Sequence, residues 1–201
     1  SERFIRPVYR EFYKERDVVR EERRMRTESS SQGLLVEALL ATAFMAHPYK
    51  NSAVGWGSDI SKYRMPEAMD FFKKHYTPAN MVIGIAGDVD PKECKRLATR
   101  YFSRMPKADP PDEIRTEEPE QQGERRVTIQ HPDQPFLIMA YKRPARNHPD
   151  HQALNVLAYL LGSGRTSMIY TEMVRDKQIA LDAGAFPAFP GSRYPNLFLL
   201  Y

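Results

Sequence analysis

Two glutamates, Glu15 and Glu22, carry the most chemical potential in this sequence, standing seven positions apart in a run free of glycine and proline. Seven residues is close to two α-helical turns, so both side chains leave one face, with Val19 between them. With Ile5, Val8, Phe12 and Arg26 they follow the 3-4 spacing of a core-facing stripe. A carboxylate carried onto such a face is costly unless it is paired or bound to a cation. The pair is therefore a candidate site. The competing reading is a solvated, salt-bridged helix, with Arg16, Arg20, Arg23, Arg24 and Arg26 as partners and Glu22 and Arg26 at four residues' spacing.

Other constellations are weaker. His148-Pro149-Asp150-His151 places two histidines three apart, but the proline and the lack of a glutamate between them argue for a helix start with Asp150 near the cap. Gly162-Ser163-Gly164-Arg165 has no Walker lysine after it and reads as a helix-helix turn rather than a phosphate loop. Cys94 is the single cysteine, which excludes an internal disulfide and a cysteine-based zinc cluster. Lysines and arginines are dispersed, the net charge is only +4, and no aromatic stacking platform accompanies them, so nucleic-acid binding is not expected. No apolar run is long enough to span a bilayer.

The elements that must position these residues follow from pattern. Residues 7–28 read as one long helix and Leu34 to Met45 as an apolar buried one, ended by His47-Pro48. Residues 49–64 read as a surface loop, and a helix starts at Pro66 with Met69, Phe71, Phe72 and Tyr76 on its apolar side. Residues 81–86 suit a short buried strand, and Pro91 to Phe102 an amphipathic helix with Cys94, Leu97 and Ala98 inward. Strands are expected over 126–130 and 136–142, helices over about 150–161 and 166–176, and further strands over 178–201. Strand and helix do not alternate regularly, which predicts an α+β fold with a largely antiparallel sheet and packed helices. Residues 106–124, rich in proline and charge, read as an exposed linker between a first domain over 1–105 and a second over 125–201.

The run from Glu15 to Arg24 resembles the helix that follows the inverted zinc motif in insulinase/pitrilysin-type peptidases. Three further stretches resemble the same family in order: His47-Pro48-Tyr49 with Gly55-Trp56, Tyr76 to Met81 leading into Gly87-Asp88-Val89-Asp90, and Leu160 to Gly164 followed by Tyr170 and Val174 to Lys177. In that family the motif is His-x-x-Glu-His and a glutamate from a later helix completes the zinc site. The resemblance makes Glu22 the third zinc ligand and Glu15 a companion carboxylate that tunes and orients it. It implies a zinc-bound water as nucleophile, with the motif's glutamate as general base.

None of the histidines, His47, His75, His131, His148 and His151, begins His-x-x-Glu-His, so the residues read as a piece of a longer zinc endopeptidase with the motif upstream and an incomplete first domain. The family also carries an arginine and a tyrosine seven apart that contact the peptide near the scissile bond. Arg175 matches the first, while Asp182 stands at the second. By the resemblance, the substrate is an unfolded peptide enclosed in a clamshell formed with a homologous subunit or a fused second half, and a bacterial source would favour the periplasm or cell envelope. The alternative within the family is a non-catalytic subunit that shapes the chamber for a partner.

Overall fold

The computed structural model describes residues 2–201. In chain order its helices are α1 (Glu2–Ile5), α2 (Phe12–Arg23), α3 (Ser31–Ala43), α4 (Gly57–Lys62), α5 (Met65–His75), α6 (Pro91–Phe102), α7 (His151–Gly162) and the short α8 (Met168–Tyr170). Its strands are β1 (Met139–Arg143), β2 (Ala185–Phe189) and β3 (Asn196–Leu200). The fold is mixed: helices with a small antiparallel sheet, as the pattern predicted. Contacts divide it into two compact units, residues 1–25 with 54–115 and residues 26–53 with 116–201. One seam, at 115/116, falls inside the expected linker; the other two, at 25/26 and 53/54, have no counterpart in the sequence division.

In the first unit α2 packs against α4, whose Ile60 is buried. Rings from separate turns meet beside α5: Phe72 stacks on Tyr76 with centroids 4.5 Å apart, Phe4 lies 6.3 Å from Tyr76, and Tyr9 meets Phe72 edge-on at 6.4 Å. Helix α6 begins with Pro91 in its first turn and Asp90 as cap, the Asp90 carboxylate accepting from the Lys92 N–H. Cys94, Leu97 and Ala98 are its half-buried side, as their spacing predicts.

The second unit holds the main core. Strand β3 is central in the order β1-β3-β2, antiparallel to both neighbours, with Tyr141 opposite Phe198 and Phe186 opposite Leu199. Helix α3, mostly apolar, lays Leu40 and Ala43, followed by Phe44, against Leu197 and Leu199, with Val36, Leu39, Ile138 and Phe189 around them. Helix α7 packs on β2 so closely that a Cβ on Gly162 would lie 2.0 Å from the Ala185 nitrogen, which only glycine permits.

Several expectations are corrected. The helix expected over 7–28 is helical only from Phe12: Glu11 takes a left-handed conformation (φ 60°) before α2, and after Arg23 the backbone widens into a π-helical turn, Arg24–Glu28. Ile5 and Val8 therefore do not share a helix with Glu15 and Glu22. Residues 49–64 contain α4, and 171–176 form a π-helical segment rather than continuing an α-helix. Residues 81–86 are not a buried strand: Val82 is 99% exposed, and no strand among the described residues pairs with the run. Apolar composition alone cannot make a strand, because each N–H and C=O needs a ladder partner. Residues 126–130 likewise form no strand, and the strand expected over 136–142 is confined to β1.

Candidate functional site

Glu15 and Glu22 both lie on α2, two turns apart, as the spacing requires. Their surroundings differ: Glu15 is exposed and Glu22 half-buried. Phe12 and Arg16 are half-buried like Glu22, and Arg23 is the buried residue of the helix, at 6% exposure. Its Nη1 donates to the Gly55 carbonyl at 2.6 Å, and its guanidinium lies 5.6 Å from the centroid of the Trp56 ring. Trp56 is in turn the cap residue of α4. Arg23 thus ties the C-terminal end of α2 to the Gly55-Trp56 turn.

Zinc accepts carboxylate oxygens, so Glu22 has the chemistry of one ligand. It does not make a centre here: among the described residues no group of three or more His, Cys, Asp or Glu side chains could hold a metal ion. The histidines are engaged elsewhere. His151 Nδ1 lies 2.8 Å from Arg143 Nη2 and its Nε2 3.2 Å from Asn155 Nδ2, while His148 sits at the surface 3.6 Å from Asp150. His131 is 3.2 Å from Asp133. Arg175 is exposed on the 171–176 segment, its Nε 2.7 Å from Asp176 Oδ1; that hydrogen bond holds the guanidinium pKa above its ordinary value. Gly162-Ser163-Gly164 forms the turn expected of it, with Gly164 at φ 75°.

The second unit holds a cluster that sequence reasoning missed. Glu118, from the expected linker, is buried to 8% side-chain exposure, and its carboxylate accepts from the N–H groups of Met45 (2.7 Å), Ala46 (2.9 Å) and His47 (2.9 Å). Lys142 Nζ stands 3.4 Å from it and 3.9 Å from the centre of the Phe44 ring. Burial pushes the Glu118 carboxyl up, but the three N–H donors and Lys142 outweigh it and hold the pKa at about 2. Arg125, just past the expected linker, donates to the Thr42 carbonyl and so satisfies part of the C-terminal end of α3. His47 is itself buried among Phe44, Tyr49 and Tyr194, with Nδ1 accepting from the Tyr49 N–H. Burial pushes its imidazole below 6.5, opposed by Glu118 and helped by Lys142. A lone glutamate among prolines and other acids carries no sequence signal for this role.

Residues 66–200 match the family model described as the peptidase M16 inactive domain. The chain is 34% identical over 180 residues to the zinc protease PqqE of Helicobacter pylori, covering 86% of this chain and 40% of that protein. It is 26% identical over 151 residues to the mitochondrial cytochrome b-c1 complex subunit 1 of Bos taurus, covering 74% of this chain and 31% of that one. The crystal structure of a protease from Helicobacter pylori superposes with a TM-score of 0.84 at 33% identity, over 94% of this chain and 46% of that one. The chain thus spans less than half the length of these relatives. By this match, over two compact units with a helix-and-antiparallel-sheet fold, the chain belongs to the peptidase M16 family.

Proposed function

We propose that this chain is part of a zinc-dependent endopeptidase acting on unfolded peptides, to which it contributes Glu22 as a carboxylate ligand of the metal. The observation that carries this reading is the placement of Glu22 at the partly covered end of α2, one residue from the Arg23 anchor, in a chain 34% identical to a zinc protease. A ligand must be held in place yet reachable, and Glu22 is neither fully buried nor splayed into solvent. Glu15, two turns earlier on the same face, is the companion carboxylate. Two histidines from outside these residues would complete the ligand set. Residues 1–105 would belong to the first peptidase domain and 125–201 to the second, with substrate enclosed against a homologous subunit or a fused second half. Arg175, already paired with Asp176, would make no more than a peripheral contact to peptide.

A second reading is a family subunit that shapes the peptide chamber without hydrolysing bonds. It is favoured by the description of the domain matched over 66–200 as inactive. Cleavage of an internally quenched peptide by the full-length protein, before and after chelation and on zinc return, separates the two. The peptidase reading expects activity lost on chelation and restored by zinc. No cleavage by this protein alone, with cleavage by the complex with its homologous partner that is unaffected by Glu22→Gln, supports the non-catalytic subunit.

A further inference from the structure

We propose that Arg23 is the positioning residue for Glu22; this rests on the reading of Glu22 as a zinc ligand. Helix α2 is only 12 residues long and is flanked by irregular backbone on both sides, left-handed at Glu11 and π-helical over 24–28. A helix so bounded needs a side-chain anchor to fix its rotation about its own axis. The ion pairs Lys14–Glu11, Arg16–Asp17, Arg20–Asp17 and Arg24–Glu21 do not supply one, since each joins neighbours along the same segment.

Arg23 reaches another element. Its guanidinium donates to the Gly55 carbonyl at 2.6 Å and rests by the face of Trp56, a geometry in which the planar fork uses both its donor edge and its face. The partner backbone is itself constrained, since Gly55 adopts φ +79° and Trp56 opens α4, whose Ile60 is 1% exposed. One residue is about 100° of helix rotation, so fixing Arg23 against this turn fixes the direction in which Glu22 leaves α2. The π-helical turn begins at the next residue, which makes Arg23 the last point at which α geometry is imposed.

The test uses the full-length protein and reads zinc affinity, by competition with a fluorescent chelator, alongside thermal unfolding of the zinc-free form. R23Q should weaken zinc by about 10 to 100-fold, as loss of an orienting partner does. R23K, which keeps one donor but not the plane, should recover part of that loss. W56L, which removes the ring and keeps the hydrogen bond, should weaken zinc a few-fold and replaces R23Q if R23Q does not fold. If E22Q abolishes zinc binding while R23Q, or W56L in its place, leaves affinity within twofold and lowers only the unfolding temperature, Arg23 is structural and the inference fails. If E22Q retains zinc, the ligand reading fails instead.

Discussion

Replacing Glu118 by glutamine keeps the side chain's shape and removes the charge that three backbone N–H groups and Lys142 converge on. The magnitude follows from linkage. The carboxyl's ordinary pKa is 4.5, and its surroundings here lower it to about 2. That difference corresponds to roughly 3 kcal/mol of stability carried by the ionised form. The group is buried, so solvent screening discounts this little. The folded pKa is the lower one, so the contribution is fully present above about 4.5 and is lost as the pH falls toward about 2; near pH 3 roughly 2 kcal/mol of it is gone. Glu118→Gln should therefore destabilise the second unit by about 2 to 3 kcal/mol at pH 7 and by much less at pH 3. Chemical denaturation at the two pH values, with amide exchange of Met45, Ala46 and His47 as a local probe, reads both quantities. A variant that costs under about 0.5 kcal/mol at pH 7, or whose cost is unchanged at pH 3, would refute the reasoning.

Further outcomes follow from the same geometry. Gly162→Ala raises helix propensity at the end of α7 but sets a Cβ against the Ala185 backbone, so the unfolding temperature should fall by several degrees; a rise would show that the contact relaxes. His47 should titrate below 6.5 by imidazole NMR, and because its folded pKa is the lower one, its contribution to stability is present above 6.5 and lost as the pH falls from there through the folded pKa; His47→Phe should remove that part of the pH dependence. The isolated 201-residue chain should bind zinc weakly, since one carboxylate does not replace a ligand set, and stoichiometric zinc surviving mild chelation in equilibrium dialysis would show the metal site to be elsewhere.

Much of the fold is legible where local signals are strong. Pro66 and Pro91 open α5 and α6 in their first turns, and the helices at 151–162 and 91–102 follow apolar periodicity. The strands at 185–189 and 196–200 follow β-rich runs around a Pro/Gly turn. What is not legible depends on partners distant in sequence. The run 81–86 has the composition of a strand and no ladder to join. The break at Glu11 shows in no residue type, because a glutamate at φ 60° carries no local mark. For the site, the seven-residue spacing places Glu15 and Glu22 on one helix, yet it cannot tell that Arg23 is the buried neighbour. That depends on a carbonyl 32 positions away, at Gly55. Glu118 is hidden for the same reason, since its donors lie more than 70 positions upstream.

The most direct test of the account is the zinc content of the full-length protein and of two variants, measured by elemental analysis after dialysis against a mild chelator. The account predicts about one zinc per active site in the parent and close to none in Glu22→Gln. Glu15→Gln should keep metal while its peptidase rate falls by about 10 to 100-fold, as expected when an orienting carboxylate is lost. A Glu22→Gln protein that held full zinc and cleaved peptide at the parental rate would contradict it, and α2 would then be a salt-bridged surface helix with no part in the metal site.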